Sequence, residues 1–238
     1  TLGKGKLPMR EIKLPKQDFI LSLSEKKTPL RVEFVCSGLK NEDLPASSAP
    51  EFALVGRSNV GKSSLLNYIA GQKQLARVSN TPGRTQTINL FSAEKGEFFL
   101  VDLPGYGYAE SSHATQAHWE KGMQDFFEGR EGLFAIFILI DIRRDVQPED
   151  ESLSRWLQSL GLKVIAIQTK CDKIHKSKWH EIRELHAKKL ALHPSQIVTT
   201  SSDKKIGLSE VLKMMSGMLD SLDKELEDLE NDTGEPSK

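Results

Sequence analysis

Between residues 56 and 63 the chain reads Gly56-Arg57-Ser58-Asn59-Val60-Gly61-Lys62-Ser63, two glycines framing four residues and then a lysine and a hydroxyl. That spacing suits a polyphosphate. Such a loop aims a row of backbone N–H groups and a helix N-terminus at one anion. Gly56 to Ser64 would form the cradle, Lys62 would reach the outer phosphates, and the Ser63 hydroxyl would ligate Mg²⁺. A second motif is Asp102-Leu103-Pro104-Gly105. Asp102 would hold the same ion through water. The Gly105 N–H would meet the terminal phosphate and register its presence, with Leu103 and Pro104 forming the turn between them. The third motif, Thr169-Lys170-Cys171-Asp172, names the base. The Asp172 carboxylate can accept hydrogen bonds from N1–H and the 2-amino group of guanine. Adenine offers neither donor and would leave that carboxylate unpaired. The three motifs imply GTP rather than ATP.

These residues need strand ends and helix starts to position them. Phe52 to Val55 is an apolar run that enters the phosphate loop as a strand, and Ser64 to Ala70 leaves it as a helix that Gly71 stops. Arg31 to Cys36, Thr87 to Ser92, Glu97 to Val101, Leu133 to Ile140, Lys163 to Thr169 and Ile197 to Thr200 complete the expected strands. Helices are expected over roughly 114–129, 148–160, 178–191 and 207–229. In the last, Leu208, Val211, Leu212, Met215 and Leu219 share one face. Trp119, Phe126 and Phe127 suit one face of a helix packed on the sheet. Alternating β and α segments with apolar strands imply an α/β fold, with a mostly parallel sheet of six or more strands and helices on both faces. Ligands in such folds sit at the carboxyl ends of strands, where all three motifs fall. Ser201-Ser202 follows the last strand, and a backbone N–H there would meet the guanine carbonyl, with Thr200 at the strand end counted in the same site. The Lys170 stem would pack over the base and brace the phosphate loop, and Cys171 would point inward.

The chain has 238 residues, with 33 Lys and Arg against 33 Asp and Glu, so its net charge selects no partner. The first residues are basic and the last acidic. The expected division is an N-terminal extension over 1–30, one nucleotide-binding domain over 31–222 and an acidic tail over 223–238. Two cysteines, Cys36 and Cys171, build no disulfide framework, and a reducing compartment fits. No apolar run approaches the roughly 20 residues of a membrane span. The chain begins at Thr1 rather than Met, which leaves open both a trimmed bacterial protein of the cytoplasm and a processed precursor in an organellar matrix or stroma.

Together with Thr81-Pro82-Gly83-Arg84-Thr85-Gln86-Thr87 and Asp102-Leu103-Pro104-Gly105-Tyr106-Gly107-Tyr108, these motifs resemble the EngB family, also called YihA or YsxC proteins. Most G proteins carry Asn where Thr169 stands; EngB-type proteins carry Thr. Asp141-Ile142-Arg143 and Glu33-Phe34-Val35 also look like the family pattern. The resemblance covers about residues 32 to 218. It implies a Ras-like fold, GTP and GDP binding, slow hydrolysis to GDP and phosphate, and a monomer that binds neither DNA nor membrane. It also implies a role in assembling the large ribosomal subunit, with rRNA and ribosomal proteins as partners, and through it in normal growth and division.

Within that resemblance, Thr85 is the expected switch I threonine, closing on Mg²⁺ and the γ-phosphate beside Gly83 and Arg84, with Thr81 and Thr87 as alternatives. Lys62, Thr85 and Gly105 are the groups expected to act on the transferred phosphate. Asn59 has two readings: a ligand for K⁺ near the phosphates, or an Asn suited to a turn by its backbone. Tyr106 stands where many G proteins carry a water-orienting Gln, and it belongs either to a switch that repacks or to the core. Two other classes compete, a phosphate-loop kinase and a signalling GTPase at a membrane. The first leaves Asp172 unexplained and lacks a lid segment; the second lacks a lipidation cysteine near either end.

Overall fold

The computed structural model describes residues 13–76, 87–107 and 113–232, and of 113–119 and 226–232 the backbone only. Among these, seven strands form one sheet: β1 (Val32–Gly38), β2 (Glu51–Gly56), β3 (Ile88–Ala93), β4 (Phe98–Asp102), β5 (Leu133–Asp141), β6 (Lys163–Thr169) and β7 (Ile197–Thr199). Their order is β1-β3-β4-β2-β5-β6-β7. β4, β2, β5, β6 and β7 run parallel, and β3 pairs antiparallel with both β1 and β4. Six helices cover the sheet: α1 (Gln17–Glu25), α2 (Lys62–Ala70), α3 (His113–Gly129), α4 (Pro148–Ser159), α5 (Trp179–Leu190) and α6 (Leu208–Asp232).

Strand alternation decides the layering. Phe52 and Leu54 of β2, with Phe137 and Leu139 of β5, face a core closed by α1, α2 and α6. Ala53 and Val55, with Ile136 and Ile138, face a second core closed by α3, α4 and α5. Both central strands are buried along their whole length, as their unbroken apolar runs require. Phe126 and Phe127 are fully buried in the second core, each such side chain contributing about 1.5–3 kcal/mol. The expected strands and helices all appear, within a few residues of their expected ends.

Among the described residues, the segments flanking the sheet carry helix. α1 lies within residues 1–30, where the sequence reading placed an extension. It buries Ile20 and Leu23, one turn apart, against α6. Gln17 Nε2 donates to Asp223 Oδ2 at 2.7 Å, and Ser216 Oγ donates to the Ile20 carbonyl at 2.6 Å. Exposed Leu21 blurs the helical pattern, which is why it escaped notice. α6 runs through the acidic segment to Asp232, where Glu225 pairs with Lys163 at 2.8 Å.

Candidate functional site

Parallel pairing brings the carboxyl ends of β4, β2, β5, β6 and β7 to one edge of the sheet, and with them the three motifs. β2 ends at Gly56, where a Cβ would stand 2.9 Å from the Leu139 carbonyl and 3.0 Å from Val60 Cγ1. The chain then turns through Asn59 (φ 62°) and Gly61 (φ 113°) into α2. The Asn59 backbone thus adopts the left-handed turn conformation, and its side chain is exposed. Two side chains from the β6 end clamp this loop. Thr169 Oγ1 donates to the Val60 carbonyl at 2.7 Å, and Lys170 Nζ donates to the Asn59 carbonyl at 2.8 Å. The threonine that departs from most G proteins therefore braces the phosphate loop, and Lys170 braces it as expected.

Lys62 opens α2 and turns back across the loop, 3.3 Å from the Gly56 carbonyl. Its burial lowers its pKa, and the charge of nearby Asp102 opposes that. Burial pushes Asp102 up to about 6 against the pull of Lys62. Asp102 Oδ1 is buried and has no hydrogen-bond partner among the described residues. An orphaned buried carboxylate oxygen, near a helix that begins Lys62-Ser63, fits a hard dication. No group of three or more His, Cys, Asp or Glu that could hold a metal occurs among the described residues. Such an ion would thus take most of its ligands from water, Ser63 and the nucleotide itself.

A pH dependence follows. Asp102 titrates higher in the folded chain than the usual carboxylate at about 4. Its contribution to stability is therefore full at low pH and lost as pH rises through about 6. A dication needs the ionised form. Mg²⁺-dependent nucleotide affinity should fall about tenfold per pH unit well below that value. Titrating affinity with and without Mg²⁺ checks this, and Asp102→Asn should flatten the profile.

Gly105 meets the phosphate loop closely: a Cβ there would come 3.1 Å from Lys62 Nζ and 3.3 Å from Ser58 N. The Ser58 N–H donates to the Tyr106 carbonyl at 3.1 Å, and the Tyr106 N–H to the Gly56 carbonyl at 3.3 Å. The Tyr106 ring packs in the second core, and its hydroxyl donates to Asp150 Oδ1 at 2.6 Å. Of its two readings, the structure supports the core aromatic. The ring is held by the first turn of α4, where Asp150 also caps the Gln147 N–H at 2.9 Å. Arg57 lies against Gly107 (φ 69°) and reaches Glu149 at 3.3 Å. The phosphate loop and the turn after β4 are both fastened to the start of α4, a link sequence motifs do not announce. Tyr106→Phe removes the donor to a buried carboxylate and should cost about 1.5–3 kcal/mol. Urea denaturation measures this, and hydrolysis should stay at the wild-type rate.

At the guanine end, Lys170 takes a left-handed backbone (φ 59°) and Cys171 turns inward, fully buried, its N–H donating to the Thr200 carbonyl at 3.0 Å. Asp172 Oδ1 accepts from Ser201 Oγ at 2.6 Å. Lys173 Nζ stands 2.9 Å from Oδ2, at an angle that makes no well-formed hydrogen bond. The Ser201 hydroxyl and then Lys173 hold the carboxyl below its usual range. Within the expected Ser201-Ser202 pair the open N–H is that of Ser202, since Thr200 and Ser201 are already bonded within the fold. Their N–H groups donate to the Gln168 and Ile206 carbonyls at 2.7 and 3.0 Å. Ser201 instead orients Asp172 through its side chain, and Ser202 N–H makes no hydrogen bond among the described residues.

Asp141 was noted in the sequence only as part of a pattern. It accepts from Arg143 Nη2 at 2.6 Å and Nε at 2.9 Å, and pairs with Lys170 Nζ at 3.1 Å. Burial opposes its ionisation, but Arg143 and Lys170 bring it to about 2. It is a permanent anion that aims Lys170 at the phosphate loop. Gly83, Arg84 and Thr85, with Thr81, Gln86 and Tyr108, lie outside the described residues. Thr87 is described, and its hydroxyl donates to Asn89 Oδ1 at 3.4 Å.

A family model described as a 50S ribosome-binding GTPase matches residues 51–170. A probable GTP-binding protein EngB of Desulfitobacterium hafniense is 39% identical over 196 residues, covering 82% of this chain and 96% of its own. Its counterpart in Alkaliphilus metalliredigens is 39% identical over 180 residues, covering 75% and 86%. Among solved structures, a probable GTP-binding protein EngB superposes with a TM-score of 0.60 at 18% identity, over 72% of this chain and 99% of its own. A point variant of Aquifex aeolicus Era bound to GDP·AlF4⁻ superposes at 0.56 with 28% identity, over 71% and 56%. No helix among the described residues is long and apolar enough to cross a membrane.

Proposed function

We propose, from the premise that the chain belongs to the EngB family of GTP-binding proteins, that this GTPase works as a nucleotide-driven switch on the large ribosomal subunit during its assembly. The family model's description as 50S ribosome-binding supports the partner. The observation that carries the switch is the turn after β4. Gly105 stands against Lys62 and Ser58 on one side, and Tyr106 reaches α4 on the other. A terminal phosphate contacting Lys62 and the Gly105 N–H would reset that turn, and α4 would carry the change outward.

In this reading Gly56 to Ser64 hold the phosphates, with Lys62 on the outermost. Ser63, Thr85 and water on Asp102 would hold Mg²⁺, which would supply positive charge at the phosphoryl oxygens. Asp172 reads the base, braced by Ser201, while Lys170 spans the base and the loop. With Tyr106 in the core, the attacking water is oriented by another group, which accords with slow intrinsic turnover. The exposed Asn59 carboxamide is available to K⁺ beside the phosphates. The GTP form binds the assembling subunit, and hydrolysis releases it.

Co-sedimentation with purified large subunits tests this. The chain loaded with a non-hydrolysable GTP analogue should pellet with the subunits, and the GDP form should stay in the supernatant. Equal pelleting in both states would remove the switch.

A further inference from the structure

The loops that follow β5, β6 and β7 surround the guanine end of the site. Over residues 142–147, 170–178 and 200–206 they carry eight lysines and arginines against three aspartates, in a chain whose charges cancel overall. They lie side by side, because β5, β6 and β7 are parallel neighbours and end at the same edge of the sheet. Three of the cations have a task in the site. Arg143 and Lys170 hold Asp141, and Lys173 pairs with Asp172. The other five, Arg144, Lys176, Lys178, Lys204 and Lys205, are exposed and make no salt bridge among the described residues. Against these five stand the exposed Asp145 and Asp203 of the same loops, so the rim keeps a net positive charge, which an external polyanion relieves.

The kind of polyanion can be narrowed. Protein interfaces are anchored by buried aromatic and apolar side chains. Among the described residues the exposed large hydrophobic side chains are Leu21, Phe34, Val35, Leu39 and Leu185, none of them in these three loops. Cations without apolar anchors match the phosphate backbone of a nucleic acid, where charge positions and shape is read. We propose that the loops after β5, β6 and β7 form a docking rim for the backbone of an RNA helix, which lies across the mouth of the guanine pocket. The choice of RNA over DNA rests on the proposed ribosomal function. Because the helix covers the pocket mouth, bound RNA slows nucleotide release, and nucleotide state and RNA docking are coupled at one place.

The test compares the wild-type chain with a Lys178→Gln, Lys204→Gln, Lys205→Gln variant, whose side chains take no part in the nucleotide site. The probe is an RNA hairpin with a stem of about 16 base pairs, the span over which proteins read double-stranded RNA by shape. Affinity is titrated against salt, and release of fluorescent GDP is timed with and without the hairpin. In the variant the slope of log affinity against log salt should fall by about one per lysine removed. The hairpin should slow GDP release from the wild type and leave the variant unchanged, with basal GTP hydrolysis equal in both. An unchanged salt slope in the variant would overturn the rim. So would hairpin binding that leaves GDP release unaffected in the wild type. Loss of large-subunit binding in the variant, with no hairpin binding by the wild type, would replace RNA with an acidic protein surface. Hairpin binding through the rim without any large-subunit binding would keep the rim and defeat the ribosomal reading.

Discussion

Asp172→Asn is expected to weaken GTP and GDP binding about 10²–10⁴-fold with the fold intact. The carboxylate is held ionised by Ser201 and Lys173, so it meets guanine as an anion. Two charge-assisted hydrogen bonds, to N1–H and the 2-amino group, are worth about 1.5–3 kcal/mol each. Losing one, weakening the other to a neutral bond and leaving the 2-amino group facing a donor together cost about 3–6 kcal/mol, and each 1.4 kcal/mol is tenfold. Asparagine keeps an oxygen that can accept from Ser201 and from N1–H, but it sets an amide donor against the 2-amino group. Xanthine carries a carbonyl there instead. The variant should therefore prefer xanthine nucleotides, and equilibrium titration with GDP and its xanthine counterpart measures the exchange of preference. A merely destabilised variant would lose both.

Lys62→Met is expected to lower single-turnover GTP hydrolysis by about 10²–10³-fold, the size of effect seen when one transition-state donor is removed. The substitution keeps the length of the stem and deletes the charge. Lys62 is half-buried, and its ammonium lies beside Gly105 and the Gly56 carbonyl, where an outer phosphate would be met. A second consequence reports on the geometry. Lys62 is the cation that restrains the upward shift of Asp102. Without it Asp102 should titrate still higher, so Mg²⁺-dependent nucleotide binding should fail at a higher pH than in the wild type. An unchanged pH profile would mean the two groups do not interact as their placement indicates.

Much of this site was legible in the chain, because its chemistry sits in short segments at strand ends. Gly56 to Ser63, Asp102 to Gly105 and Thr169 to Asp172 each carry their meaning within four to eight residues. An apolar strand before each one places it at the same edge of a parallel sheet. Apart from the brace that Lys170 gives the phosphate loop, relations between segments were not legible. The clamp from Thr169 to Val60 spans 109 residues, and that from Lys170 to Asn59 spans 111. Tyr106 meets Asp150 across 44, and Ser201 meets Asp172 across 29. No periodicity links such positions; only the strand order β4-β2-β5-β6-β7 brings them together. Helix α1 was missed for a local reason, since two buried residues in nine leave too faint a stripe. Ser201 was assigned by its backbone, as loop residues near a base usually are. Its N–H is occupied by the bridge to Ile206, and its hydroxyl serves Asp172.

The central claim is that the loops at this sheet edge form one site that takes a triphosphate and selects its base through Asp172. Competition of GTP, GDP and ATP for the wild-type chain in Mg²⁺ tests it most directly. The geometry predicts that GTP and GDP displace a fluorescent guanine nucleotide while ATP does so only at concentrations higher by orders of magnitude, because adenine leaves the Asp172 carboxylate without donors. ATP displacing it as readily as GTP would contradict the role of Asp172 and, with it, the base-reading half of the site.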